Sequence, residues 1–313
     1  MITTKSKIYV AGHNGMVGSA ICRGLINKGY KNQIFKNIAD LDLRNQNEVH
    51  SFLKYEQPDV IINAAAKVGG ILANDTYPYE FIMDNMLIQN NLISSAHMLD
   101  IKKFIFLGSS CIYPKFSKQP IKEEYLLTDI LEPTNEWYAI AKISGVKVIE
   151  ALRKQYNRDY ISLMPTNLYG INDNFNLETS HVLPALIRKF YEAKVNKNNN
   201  VLLWGSGTPK REFLYVDDLA NAVIFSIENN LNESLYNVGY GTDISIKDVA
   251  ILIKNIVGYE GDIEWDKSKP DGTPRKLMDS SKLNSLGWKP INSLDEGIKK
   301  TYEWYLSNVE KIN

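Results

Sequence analysis

Over the first half of the chain, short apolar runs alternate with longer stretches in which apolar residues recur at helical spacing. Lys7–Ala11 is the first run, and it meets Gly12-His-Asn-Gly15-Met-Val-Gly18 and then a helical Ser19–Ile26, giving strand, glycine-rich turn, helix. Gln33–Lys36 predicts a second strand, and a helical stretch runs through Val49 to Tyr55. Pro58–Asn63 reads as a strand buried on both faces that leaves through Ala64-Ala-Ala66 into the Lys67–Gly70 loop. Glu80–Leu99 has the period of a long helix, and Lys103–Leu107 is another buried strand delivering Gly108-Ser-Ser-Cys111 at its end. Pro114, Pro120 and Pro133 mark an irregular loop from Tyr113 to Thr134. A helix beginning near Asn135 or Glu136 follows, then a strand at Tyr160–Met164 leading into Pro165–Gly170.

This alternation predicts an α/β chain with a Rossmann-type, doubly wound, mostly parallel sheet. Beyond residue 170 the rhythm loosens. His181–Lys194 is helical, Val201–Trp204 and Arg211–Val216 are strand-like, and Asp217 or Asp218 is placed to cap the helix that follows. Ser234–Val238 predicts one more strand, and a C-terminal helix runs from about Leu294 to Leu306. The expected division is a dinucleotide-binding domain over 1–170, to which later segments can return, and a smaller C-terminal α/β substrate lobe over 171–313.

Composition narrows the partners. With 44% apolar and 23% charged residues in 313, the chain can bury a sizeable core. Thirty-six basic side chains balance thirty-six acidic ones, so no net field favours nucleic acid or an anionic membrane. No apolar run approaches the ~20 residues of a membrane span, and no signal-peptide core follows the N-terminus. Cys22 and Cys111 are too few for a disulfide framework and lack metal-ligand spacing to the four histidines, so no metal is expected and a reducing cytoplasm fits.

The glycine turn is the first candidate site. Its G-x-x-G-x-x-G spacing lets a pyrophosphate approach main-chain N–H groups at a helix N-terminus. The tip of the second strand, where a dinucleotide's adenosine ribose is recognised, holds Asn37, Ile38 and Ala39, with Lys36 the local cation and Asp40 and Asp42 slightly later. The second candidate is Tyr138-Ala-Ile-Ala-Lys142. Residues four apart share a helix face, so an ammonium stands beside a phenol and is expected to draw its pKa down from ~10. Ser109, from another strand end, completes a clamp for a carbonyl oxygen. Taken alone, Tyr-x-x-x-Lys is a common spacing on a solvated helix, Cys111 could be a small buried hydrophobe, His181 could cap its helix, and Trp204 could be core.

Together, the glycine turn, Ser109 at a strand end and Tyr138-x-x-x-Lys142 resemble the extended short-chain dehydrogenase/reductases acting on nucleotide sugars. Six blocks, Ala64–Ile71, Gly108–Pro114, Glu132–Glu136, Met164–Gly170, Trp204–Pro209 and Lys269–Lys276, are similar to the GDP-L-fucose synthase family within that group. The resemblance implies that GDP-4-keto-6-deoxy-D-mannose is epimerised at C3 and C5 and then reduced at C4 by NADPH. It implies Ser109, Tyr138, Lys142, Cys111 and His181 as catalytic residues, with Cys111 and His181 moving the protons of inversion. Gly12, Gly15, Met16, Val17, Gly18, Leu107, Lys142, Pro165, Leu168 and His181 would line the cofactor. Ser110, Asn167, Lys189, Trp204, Arg211 and Asp271 would hold the sugar nucleotide, and helices near residues 85–100 and 138–156 would pair two copies into a homodimer.

Asn14 and Ile38 stand where the family often has arginines that contact the 2'-phosphate of NADPH. That leaves NAD(H) open beside NADP(H). A nucleotide-sugar dehydratase is disfavoured because Ser110 and Cys111 occupy the positions of its paired carboxylates. A 4-epimerase is disfavoured less strongly. A reductase of a GDP-4-keto-heptose stays an alternative, as does, more remotely, a dinucleotide sensor without turnover, although such sensors tend to lose the tyrosine or lysine.

Overall fold

The computed structural model describes residues 2–269 and 271–312, without the side chains of Ile71, Leu72 and Ile312; Pro270 of the Lys269–Lys276 block lies outside them. The strands are β1 (Ile8–Ala11), β2 (Gln33–Ile34), β3 (Val60–Asn63), β4 (Lys103–Leu107), β5 (Asp159–Pro165), β6 (Asn167–Tyr169), β7 (Asn200–Trp204), β8 (Lys210–Arg211), β9 (Phe213–Tyr215), β10 (Leu235–Val238), β11 (Ile244–Ser245), β12 (Asp262–Asp266) and β13 (Arg275–Lys276). The helices are α1 (Met16–Asn27), α2 (Gln46–Glu56), α3 (Ile71–Thr76), α4 (Pro78–Met98), α5 (Glu136–Tyr156), α6 (Val182–Val195), α7 (Val216–Glu228), α8 (Ile246–Val257), α9 (Ser281–Ser285) and α10 (Leu294–Ile312).

Six strands form one sheet in the order β10-β5-β4-β3-β1-β2, with every neighbouring pair parallel. Parallel strands need crossover connections, and here helices supply them on both faces. Ile8, Val10, Ile62, Ile105 and Leu163 point to one face and pack on Ile21 and Leu25 of α1 and Leu219 and Val223 of α7. The alternate residues Tyr9, Ile61, Phe104, Phe106 and Tyr160 pack on Leu53, Leu92 and Val146 from α2, α4 and α5. The order reverses at β1, which pairs with β2 on one side and β3 on the other, so the loops leaving β1 and β3 diverge and open a crevice at their C-terminal ends. A third apolar cluster joins α6, α8 and α10 to β7 and β9 through Ile187, Phe190, Phe213, Ile253 and Tyr305.

Several expected boundaries move. Helix α1 begins at Met16 instead of Ser19 because Gly15 is its N-cap, which brings the last third of the glycine turn into the helix. The second strand pairs only through Gln33 and Ile34. The expected Arg211–Val216 strand is interrupted at Glu212, and α7 starts at Val216 with Tyr215 as N-cap. Neither Asp217 nor Asp218 is therefore the cap. Asp218, fully buried, accepts hydrogen bonds from the Ile291 and Asn292 N–H groups at 3.0 and 3.1 Å and from Asn292 Nδ2 at 3.0 Å, which pins the approach to α10. Helix α10 runs past Leu306 to Ile312. No helix among the described residues is long and apolar enough to cross a membrane.

Candidate active site

The crevice between β1 and β3 contains a cradle sized for close backbone approach. Gly12 has φ +82°, where L side chains are strained, and a Cβ there would lie 2.7 Å from the Ala65 nitrogen. A Cβ on Gly18 would collide with the Gly12 carbonyl oxygen, so only glycine lets the turn close on itself. Helix α1 then starts with no side-chain cap at Gly15, leaving its first N–H groups directed at the crevice. This cradle fits a dinucleotide pyrophosphate. At the ribose end, Asn14 Nδ2 donates to Asn37 Oδ1 at 2.7 Å, a neutral pair, while Lys36 lies 5.8 Å from the Phe52 ring centroid. Asn172 Nδ2 donates to the Asn14 carbonyl at 2.8 Å and so ties the loop beyond Gly170 to the turn.

The end of β4 and the first turn of α5 converge beside this cradle. Lys142 is 3% exposed, donates to the Leu107 carbonyl at 2.9 Å, and stands 4.9 Å from the Phe106 ring centroid and 5.7 Å from that of Tyr138. Burial pushes its ammonium down to about 8. The expectation that Lys142 would draw down the Tyr138 phenol is not met. Burial, followed by repulsion from Cys111, raises the phenol instead, because the desolvation that weakens the lysine charge acts on the phenolate too. Tyr138 is thus proton-bearing at neutral pH. Ser109 Oγ accepts from the Cys111 N–H at 3.4 Å, which turns the chain into a short 3₁₀ segment and buries Ser110 and Cys111.

Three elements beyond residue 170 supply further groups. His181 is the N-cap residue of α6, yet its side chain makes no capping hydrogen bond. The residue is exposed to solvent at its surface, yet the protein atoms crowded around the ring desolvate it and lower the imidazole pKa. The Gly70 Cβ position faces the Thr179 and Ser180 carbonyls, so the β3 exit loop abuts the segment that carries His181. Trp204 is 69% exposed and is not a core residue; Lys189 and Lys269 stand 5.9 and 5.4 Å from its ring centroid. Desolvation lowers the pKa of both Lys189 and Arg211. Two cations at an open indole, Lys189 and Lys269, favour an anionic ligand that carries an aromatic ring. Asn167 is committed through Nδ2 to the Glu212 carbonyl at 2.8 Å. Both Asp271 oxygens are engaged by Ser206, its N–H at 2.6 Å and its hydroxyl at 2.7 Å, so Asp271 shapes the Trp204 loop.

Sequence reasoning missed three residues. Phe106 lies under the Lys142 ammonium, in space left by Gly145, where a Cβ would come within 2.5 Å of the ring. Glu212, fully buried, accepts the Gly241 and Met278 N–H groups at 2.7 and 2.9 Å and so clamps β13 beside β8. Lys276, at the end of β13, acts electrostatically on both Cys111 and Arg211. Lys276 was visible only as the last residue of a block. No local signal shows that Lys276 shares a cavity wall with Cys111.

The NAD dependent epimerase/dehydratase family model matches residues 8–239. GDP-L-fucose synthase 1 of Arabidopsis thaliana is 57% identical over 309 residues, covering 99% of this chain and 96% of that protein. The GDP-L-fucose synthase of Escherichia coli (strain K12) is 50% identical over 318 residues, covering 99% of each. Among solved structures, MlghC, a GDP-mannoheptose C4 reductase from Campylobacter jejuni with NADP bound, matches with TM-score 0.90 at 38% identity, covering 98% of this chain and 100% of that one. The chain therefore belongs to the NAD dependent epimerase/dehydratase family and stands within it beside the GDP-L-fucose synthases.

Proposed function

We propose that this chain is an NADP(H)-dependent 3,5-epimerase and 4-reductase that converts GDP-4-keto-6-deoxy-D-mannose to GDP-L-fucose. The observation that carries the reading is a buried thiol, Cys111, set among Ser109, Tyr138 and Lys142 at the C-terminal edge of the sheet. A plain ketone reductase has no use for that thiol, whereas an epimerase needs a proton carrier there.

The C4 ketone acidifies the hydrogens on C3 and C5, so each can leave as a proton when the enolate oxygen is stabilised. Ser109 and Tyr138 donate hydrogen bonds to that oxygen. Cys111 and His181 act from opposite faces of the sugar: one takes the proton as the C–H bond breaks, and the other returns a proton to the other face of the same carbon. The cradle of Gly12, Gly15 and Gly18 would hold the dinucleotide, which when bound would supply the hydride for C4. Tyr138 then protonates the C4 alkoxide, with Lys142 balancing the charge left on the phenolate and holding the nicotinamide ribose. Leu107, Pro165 and Leu168 would hold the nicotinamide, while Lys189 and Arg211 would meet the diphosphate and Trp204 the base.

Residues 1–170, joined by α7 and β10, form the cofactor-binding part in this reading, and the rest forms the substrate lobe. Exposed apolar side chains on α5 (Trp137, Ile140 and Val148) and α4 (Leu87) support pairing of two copies. A cytoplasmic location fits a soluble sugar-nucleotide substrate. The likeness to MlghC favours a GDP-heptose as the second reading. Incubation with GDP-4-keto-6-deoxy-D-mannose and NADPH, followed by NMR of the sugar, separates the two. GDP-L-fucose is expected; a reduced sugar with C3 and C5 unchanged refutes the epimerase half, and no reduction points to the heptose.

The neutral Asn14–Asn37 pair makes coenzyme choice a further test. Without an arginine at position 14 or 38, kcat/KM for NADPH is expected to exceed that for NADH by less than about a hundredfold, or ~2.7 kcal/mol. A larger ratio would show that another cation reads the 2'-phosphate.

A further inference from the structure

Cys111 has to carry negative charge to take a proton from carbon, yet it is 8% exposed, and burial pushes its thiol pKa up. Something has to oppose that cost. Two cations act electrostatically on the sulfur. Lys142, from α5, is already engaged by the Leu107 carbonyl and the Phe106 ring. Lys276, from β13, pulls on Cys111 more strongly than Lys142 does and makes the larger contribution toward the thiolate.

The geometry agrees. Cys111 and Lys276 line one cavity of about 50 Å³, whose other polar walls include Lys115, Gln119, Glu132 and Asn135. Lys276 is itself held from behind. Its strand pairs in parallel with β8, with Lys276 opposite Arg211; its carbonyl accepts the Glu212 N–H at 3.2 Å, and the Glu212 carboxylate takes the Met278 N–H two residues on. Burial is the largest influence on Lys276 and pushes its pKa down; Cys111 and then Glu132, which is shared with Lys115 at 3.1 Å, favour the charged lysine, while Arg211 opposes that charge. Arg275, also on the cavity wall, is paired with Asp243. Tyr138 and the Ser109 hydroxyl complete the titratable and polar surroundings of the sulfur.

We propose that Lys276 is the positioning residue that lowers the cost of forming the Cys111 thiolate for proton abstraction at C3 and C5. Carbanion formation then breaks a C–H bond and forms an S–H bond, and the Lys276 ammonium keeps its proton throughout. The inference rests on the reading of Cys111 as a proton carrier, and it assigns the epimerising half of the reaction a dedicated cation distinct from Lys142.

The test uses the full-length protein in a Cys22→Ser background. Thiolate absorbance is titrated against pH without substrate, and the Cys111 signal is taken as the difference from the same protein carrying Cys111→Ser. Uptake of solvent deuterium at C3 and C5 of GDP-4-keto-6-deoxy-D-mannose is then followed by NMR. Lys276→Met is expected to raise the Cys111 midpoint by about one pH unit or more, and so to slow deuterium uptake at neutral pH by about tenfold or more. Lys276→Arg is expected to restore both. If Lys276→Met does not fold, Lys276→Gln serves the same comparison. An unmoved midpoint, or an arginine variant that behaves like the methionine one, overturns the proposal directly. A raised midpoint with wild-type exchange overturns it through the role of Cys111 instead, so the two failures are distinguishable.

Discussion

Tyr138→Phe is expected to lower kcat for C4 reduction by roughly a hundredfold to ten-thousandfold, about 3 to 5 kcal/mol of barrier, while coenzyme affinity stays near wild type. The substitution removes one hydroxyl and keeps the ring that packs edge-on against Phe81, centroids 6.4 Å apart, so the local fold should survive. What is lost is the phenol proton handed to the alkoxide, which burial keeps in place across the neutral range. Stopped-flow NADPH oxidation measures the effect. A rate within tenfold of wild type would mean that water, or Ser109, delivers the proton.

The same centre has a pH signature. Lys142 is charged below its depressed pKa of about 8 and loses that charge as pH rises through it, so kcat/KM for reduction should decline on the alkaline side from about pH 8. A profile that stays flat well beyond that point would show that Lys142 keeps its proton and that burial has been offset by another group.

Cys111→Ser is expected to separate the two activities. Serine is nearly the same size, so the buried site stays filled, but its hydroxyl is a far weaker acid than the thiol and cannot cycle through its anion at neutral pH. Deuterium uptake at C3 and C5 should fall by roughly a hundredfold or more. NADPH oxidation should continue, because Ser109, Tyr138 and Lys142 are untouched. Wild-type exchange in this variant would remove Cys111 from the mechanism. Loss of both activities together would instead mean that the thiol supports the shape of the Ser109 turn, in which the Cys111 N–H meets the serine hydroxyl.

Much of this site was legible along the chain because its parts are local. The glycine turn is a single stretch, and its demand for missing side chains is met by the crowding at Gly12 and Gly18. Tyr138 and Lys142 share a helix face through spacing alone, and Ser109, Ser110 and Cys111 sit at the end of an unmistakable buried strand. Misplaced boundaries, such as the start of α7 at Val216, fell where strand and helix abut without a turn residue between them.

What the residues can do chemically, and which of them lie within a few positions of one another, follows from the chain itself: a dinucleotide cradle, a phenol with a lysine, a thiol beside a serine. Their charge states do not follow from it. The phenol goes up and Lys142 goes down because each is buried, and burial is a sum over neighbours that sequence separation does not reveal. Lys276 reaches the neighbourhood of Cys111 from 165 residues away, because Glu212 fixes β13 beside β8. Only the folded chain could put that cation beside the thiol, since electrostatic work depends on distance through space and not along the backbone.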